Sequence, residues 1–257
     1  HTYVEMKDHE SALRDYTLAL RADQRYWLAY LWRADLLSDL EYFEDAIKNY
    51  DNAYQYTDSA SHRETILVNR AQARRRLNDP EGAVKDFEEA LTYNANSIAA
   101  LVNLGALLPT LDRPREAIAC LEKVIRLDST FEGGYGNLAF LYANLGEYPK
   151  ALEISNKLLS FKPDEAYALN NRGFIKYKMG DLQSAMEDIN NAISRLPGNS
   201  YAFKYRGLVN MALKKREDAC ADFEKALHLG FTRYYGDEVN DLIKTNCKPP
   251  ENTMRSM

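Results

Sequence analysis

The chain has 257 residues, 46% of them hydrophobic and 28% charged, enough apolar material to offset chain entropy and to exclude disorder throughout. No stretch approaches about eighteen uncharged apolar residues, which excludes a membrane-spanning helix. With 33 Lys+Arg against 38 Asp+Glu the formal charge is −5, the wrong sign for a protein whose main partner is nucleic acid.

Read in chain order, Ala12, Tyr16 and Ala19 come first, at a spacing that puts them on one face of a helix. The same spacing, alanine then a large apolar residue at four places and a small or apolar one at seven, returns as Ala46–Tyr50–Ala53, Ala83–Phe87–Ala90, Ala117–Leu121–Val124, Ala185–Ile189–Ala192 and Ala219–Phe223–Ala226, and with Ser155 as a weak match in Ala151–Ser155–Leu158. The leading alanines are separated by 34, 37, 34, 34, 34 and 34 residues. Intervals of three, four and seven put small side chains on one helical face, where two helices can approach closely. Twelve residues before each alanine from Ala46 on stands another small residue: Ala34, Ala71, Gly105, Ala139, Gly173 and Gly207. Turn signals separate the two stretches, among them Asn78-Asp79-Pro80, Asp112-Arg113-Pro114 and Met179-Gly180-Asp181. Pro80 and Pro114 fall in the first turn of the second helix, where the missing N–H costs nothing. The unit is a helix–turn–helix of thirty-four residues, and repetition at that period predicts a stacked helical array.

This arrangement resembles the tetratricopeptide repeat family over nearly the whole chain. Tyr135, Leu138, Ala139, Tyr142, Gly146, Ala151, Leu158 and Pro163 occupy the signature places of one unit. The resemblance implies an all-α, right-handed superhelical solenoid with full repeats at 27–60, 64–97, 98–131, 132–165, 166–199 and 200–233. Residues 1–26 read as the back half of a truncated repeat, 234–247 as a capping helix with Val239, Leu242 and Ile243 inward, and 248–257 as a disordered tail. The three extra residues behind the spacing of 37 lie near Ser59–His62 and lengthen a turn or the next helix. Pro109 is expected to bend the first helix of the third repeat near its end.

Two patterns run across the repeats. Arg33, Arg70, Arg172 and Arg206 are followed sixteen residues later by Asn49, Asp86, Asp188 and Asp222, whereas Leu104 and Leu138 are followed by Cys120 and Ile154. Arginine comes with Asp or Asn and leucine with an apolar partner, so Arg70–Asp86, Arg172–Asp188 and Arg206–Asp222 are expected as structural ion pairs between the two helices of a repeat. The second pattern is a series of asparagines, Asn69, Asn103, Asn137 and Asn171, at intervals of 34. By resemblance this place faces the concave groove, where one carboxamide offers a donor and an acceptor to a peptide backbone; the alternative is a bridge to the neighbouring helix. Trp32 and Tyr205 interrupt the series at its ends as candidate walls. Phe140, Phe174 and Tyr177 are candidate groove aromatics, with Phe140 and Phe174 expected exposed. Gly133, Gly134 and Gly136 either clear the groove floor or mark a flexible joint, the joint being the preferred reading.

Three cysteines far apart, Cys120, Cys220 and Cys247, argue against a disulfide framework and for a reducing compartment. His1 opens a segment that is neither a signal nor a transit peptide, and an exported form whose signal was removed earlier is compatible with it. The four histidines are not at metal-ligand spacing and no catalytic motif occurs, so no metal, cofactor or enzymatic activity is expected. The Lys/Asn pattern with which some tetratricopeptide domains clamp a C-terminal carboxylate is incomplete: Lys204 is followed by Leu208, and no repeat supplies the Lys-and-Asn helix. The expected role is a scaffold binding an extended segment of a partner protein. Alternatives are a subunit that self-associates through its open N-terminal edge, or a regulatory region of a larger protein.

Overall fold

The computed structural model describes residues 2–232 and 236–247. Among these there are fourteen α-helices and no strands. The chain divides into two compact units, 1–129 and 130–257.

The first unit begins with α1 (Thr2–Ala22) and continues with the pairs α2 (Trp27–Asp39) and α3 (Phe43–Tyr56), α4 (Ala60–Arg76) and α5 (Pro80–Tyr93), and α6 (Ile98–Leu107) and α7 (Pro114–Leu127). The second holds α8 (Glu132–Asn144) and α9 (Tyr148–Phe161), α10 (Ala166–Lys178) and α11 (Leu182–Arg195), α12 (Ser200–Ala212) and α13 (Arg216–His228), closed by α14 (Glu238–Asn246). Each unit is an all-α helical repeat, every helix packing on the next. The three extra residues lengthen α4, which has 17 residues where α2 has 13. Pro109 ends α6 at Leu107, and the chain continues as a 3₁₀ turn, Leu108–Leu111.

The phased small residues form the core. Ala83, Phe87 and Ala90, and likewise Ala219, Phe223 and Ala226, are fully buried. Their large member explains the small residue sixteen places earlier. A Cβ on Gly173 would lie 2.5 Å from Ile189 Cγ1, and one on Gly105 2.5 Å from Leu121 Cγ. The second helix thus drives its bulky side chain against the backbone of the first. At the turn, Glu41, Asn78, Asp112, Gly146, Gly180 and Lys214 all adopt positive φ. That left-handed step redirects the chain into the second helix, and Asp79 and Asp181 cap α5 and α11 at its end.

Arginine side chains join three helices. Arg70 Nη2 lies 2.6 Å from Asp86 Oδ1, and Arg172 reaches Asp188 through Nε and Nη2 at 2.7 Å each. Arg206 reaches Asp222 at 2.6 Å. The remaining amino group of each turns to the preceding repeat, Arg70 to Asp51 at 2.6 Å, Arg172 to Asn156 at 3.0 Å and Arg206 to Asn190 at 3.1 Å. The carboxylates are further shared, Asp86 with Arg74 at 2.8 Å and Asp188 with Lys176 at 2.7 Å.

The C-terminal end corrects the cysteine reading. Cys220 of α13 and Cys247, just after α14, form a disulfide. Counting cysteines shows only that at least one of three cannot pair within the chain, and that one is Cys120. Within the expected capping region, α14 runs from Glu238 to Asn246; residues 233–235 and the predicted tail, 248–257, lie outside the described residues. Val239 is fully buried, with Leu242 and Ile243 packed against the Phe203, Phe223 and Phe231 cluster. Glu238 lies 2.6 Å from the buried Lys204 ammonium, and Arg216 Nε donates to Asn246 O at 2.6 Å.

Candidate functional site

The four asparagines of the series meet different surroundings. Asn69 Nδ2 donates to Asp35 Oδ1 at 3.0 Å, and the same oxygen accepts from Tyr50 Oη at 2.7 Å. Burial raises the Asp35 carboxyl above its ordinary range. Asn69 therefore ties α4 to α2. Asn103 donates to Ala99 O of its own helix at 2.8 Å and accepts from Arg75 Nη1 at 3.3 Å. Asn137 and Asn171 have no hydrogen-bond partner among the described residues. Both carboxamides are free to pair with something else.

These two line a cleft of about 380 Å³ between α8 and α10. From α8 come Glu132, Gly133, Gly136, Asn137 and Phe140, and from α10 Tyr167 and Asn171, with Glu165 just before it. Phe140 is 41% exposed and Tyr167 60%, so two aromatic faces flank the opening. A Cβ placed on Gly136 would meet nothing within 4 Å. No neighbour requires glycine there, although glycine costs a helix about 1 kcal/mol relative to alanine. What it provides is room. Of the two readings of the glycine cluster, Gly133 and Gly136 fit a cleared floor, while Gly134 is buried.

The carboxylates at the rim already have local tasks. Glu165 caps α10 by accepting the Ala168 N–H, and Glu132 Oε1 lies 2.8 Å from Lys162 Nζ. No Lys or Arg is among the residues lining the cleft.

The remaining predicted groove aromatics separate from this site. Tyr205 is only 5% exposed, which leaves no area for a bound segment, and burial pushes its hydroxyl pKa upward. Phe174 stacks on it with ring centroids 4.5 Å apart. Phe174 and Tyr177 pack against the cluster of Ala185, Ile189 and Val209. The expectation that Phe174 is exposed like Phe140 is corrected: the neighbouring first helix brings Tyr205 onto its ring. Trp32, 46% exposed, belongs to the first unit and lies against Tyr16 at 6.3 Å. The sequence reading missed Glu132 and Glu165, whose rim position follows from helix starts rather than from the repeat signature. It also missed Asp35 as the partner of Asn69.

Two stretches, residues 68–130 and 138–202, match the description of tetratricopeptide repeats. The chain belongs to the tetratricopeptide repeat family. A tetratricopeptide protein from Parabacteroides merdae has a similar structure, with a TM-score of 0.78 and 23% identity over 96% of this chain and 95% of that one. YrrB, described as a tetratricopeptide protein with an unusual peptide-binding site, gives a TM-score of 0.58 and 24% identity over 73% of this chain and 95% of its own. At these identities the likeness is one of fold. Mouse DnaJ homolog subfamily C member 7 is 32% identical over 92 residues, 36% of this chain. The chain spans 17% of that relative's length. As a tetratricopeptide array, the chain is a protein-interaction scaffold in the general sense.

Proposed function

We propose that this tetratricopeptide protein is a non-catalytic scaffold that holds an extended segment of a partner protein in the cleft between α8 and α10. The observation that carries the reading is the pair of unpartnered carboxamides, Asn137 and Asn171, set between the exposed rings of Phe140 and Tyr167. Each carboxamide can donate to a peptide carbonyl and accept from a peptide N–H, so the pair grips a backbone without regard to its side chains. The aromatic faces add contact area at low entropic cost. Asn69 and Asn103 are left out of the binding set, because their donors are already engaged within the first unit.

The test is affinity capture from source-cell lysate, comparing the wild-type chain with an Asn137→Ala/Asn171→Ala variant of matched helicity. A protein retained by the wild type and lost by the variant supports the reading. Equal retention by both moves binding to another surface and makes these asparagines structural.

A further inference from the structure

Resting on the cleft reading above, we infer that the segment it takes carries a basic side chain, Lys or Arg, seated over Gly136 beside the rim carboxylates. The argument comes from comparing one place in three successive repeats. Gly136, Asn170 and Lys204 stand 34 residues apart on the first helices α8, α10 and α12. At the last of these the chain supplies its own cation. The Lys204 ammonium lies 5.4 Å from the Tyr201 ring centroid, 5.1 Å from Tyr205 and 5.3 Å from Phe231, with the Glu238 carboxylate at 2.6 Å. An ammonium surrounded by aromatic faces and paired with a carboxylate is well held even though its side chain is only 7% exposed. At the middle place Asn170 is buried, at 3% exposure.

At the first place nothing fills the equivalent volume. Gly136 opens into the cleft, which offers the same kinds of group: the Phe140 and Tyr167 rings, and the carboxylates of Glu132 and Glu165. Neither carboxylate is used up. The ion pair of Glu132 with Lys162 is solvent-exposed, with side chains 44% and 52% accessible, and solvent screening leaves such pairs weak. Glu165 accepts the Ala168 N–H through one oxygen and has the other left to accept. The lining holds two carboxylates against the exposed Lys162 ammonium beside Glu132, so a basic segment is favoured over an acidic one. The occupant is therefore an extended stretch with Lys or Arg next to an apolar residue. Its backbone lies on Asn137 and Asn171, its cation occupies the place that Lys204 holds in the last repeat, and its apolar side chain rests on Phe140.

The chain can be made to fill its own cleft. Gly136→Lys puts into α8 the side chain that α12 carries at the same place, with no neighbour to displace and better helix propensity. A random phage-displayed peptide library would be panned on the wild type, on Gly136→Lys and on Asn137→Ala/Asn171→Ala, each checked for helicity. The expected result is enrichment of sequences with Lys or Arg beside an apolar residue on the wild type and on neither variant. For a selected peptide, Glu132→Gln should weaken binding about two- to five-fold, as for an exposed charge pair, with the loss shrinking at high salt. Enrichment of neutral or acidic sequences that still depends on Asn137 and Asn171 would overturn the basic-side-chain inference and leave the cleft reading standing. No enrichment over the Gly136→Lys control would overturn both.

Discussion

Removing Arg172 should destabilise the second unit unless its partner is removed with it. Asp188 is 6% exposed and accepts from Arg172 Nε and Nη2 at 2.7 Å each, with Lys176 Nζ at the same distance. Breaking a buried pair by removing one member costs about 3–5 kcal/mol when the survivor is left uncompensated. In Arg172→Leu the survivor retains Lys176, so the cost should be at or below the low end, about 2–3 kcal/mol. Adding Lys176→Met strands the carboxylate and should bring the loss to about 3–5 kcal/mol. Arg172→Leu with Asp188→Ile recreates the Leu138 and Ile154 arrangement of the preceding repeat. It leaves Lys176 with a side chain 20% exposed and able to reach water. This double variant should lie within about 1 kcal/mol of the wild type, since an apolar replacement of a buried pair is often near neutral. Urea unfolding followed by far-ultraviolet circular dichroism measures each midpoint, with m-values compared so that stability and compactness are not confused. If Arg172→Leu/Asp188→Ile is no more stable than Arg172→Leu alone, the carboxylate is not what the arginine compensates, and the reasoning fails.

Three further outcomes follow from the packing and the charges. Cys247→Ser removes a cross-link spanning 27 residues, worth about 3.5 kcal/mol by loop-closure entropy; amide exchange should accelerate first in α14, and unchanged protection there would refute a stapling role. Gly173→Ala pushes a methyl group against Ile189 at 2.5 Å and should cost about 1–3 kcal/mol, as overpacking does, read as a lowered urea midpoint. Asp35→Asn should raise stability at neutral pH, because burial holds the Asp35 carboxyl pKa above its unfolded value and no basic side chain within ion-pairing distance offsets this among the described residues. Above the raised folded pKa the aspartate is charged in both states and its full desolvation cost is present. As pH falls through the raised folded pKa the folded aspartate takes up its proton, and below the unfolded pKa the cost is gone. The advantage of the Asp35→Asn variant should therefore shrink on acidification; an advantage that grows toward acid pH contradicts the assigned cause.

The repeats could be read from sequence because they depend on contacts that are local and recurrent. A bulky residue such as Ile189 needs a small one opposite, and Gly173 must then stand sixteen residues earlier in every repeat with that geometry. Arginine with aspartate against leucine with isoleucine was visible for the same reason: both members lie within one repeat. What could not be read depends on neighbours outside the repeat. Asn69 and Asn137 occupy the same place in the period, but Asp35 engages the first and nothing among the described residues engages the second. Phe140 and Phe174 stand 34 residues apart at the same place, yet Phe140 is 41% exposed while Phe174 stacks on Tyr205 of the following repeat at 4.5 Å. The disulfide escaped because the interval from Cys220 to Cys247 matches no period; α14 folds back onto α13 to bring them together.

This difference bears on where a repeat array becomes a binding surface. The small residues, the left-handed turn and the arginine pairs build the stack, and a residue with an intramolecular partner has little left to offer a ligand. Binding capacity therefore belongs where a place filled elsewhere is left open. Gly136 is such a place, since the side chain of Lys204 fills its equivalent two repeats on and holds the capping helix through Glu238. In this respect α14 does at the end of the array what a partner segment would do over α8: it presents a complementary charge to an inner helix and covers aromatic rings. The two differ in sign, because over α12 the chain supplies the ammonium and the helix above it the carboxylate, whereas over α8 the cleft supplies the carboxylates. A lysine installed at position 136 would meet those carboxylates from within the chain, so the substitution should close the cleft to a basic ligand without opening it to an acidic one.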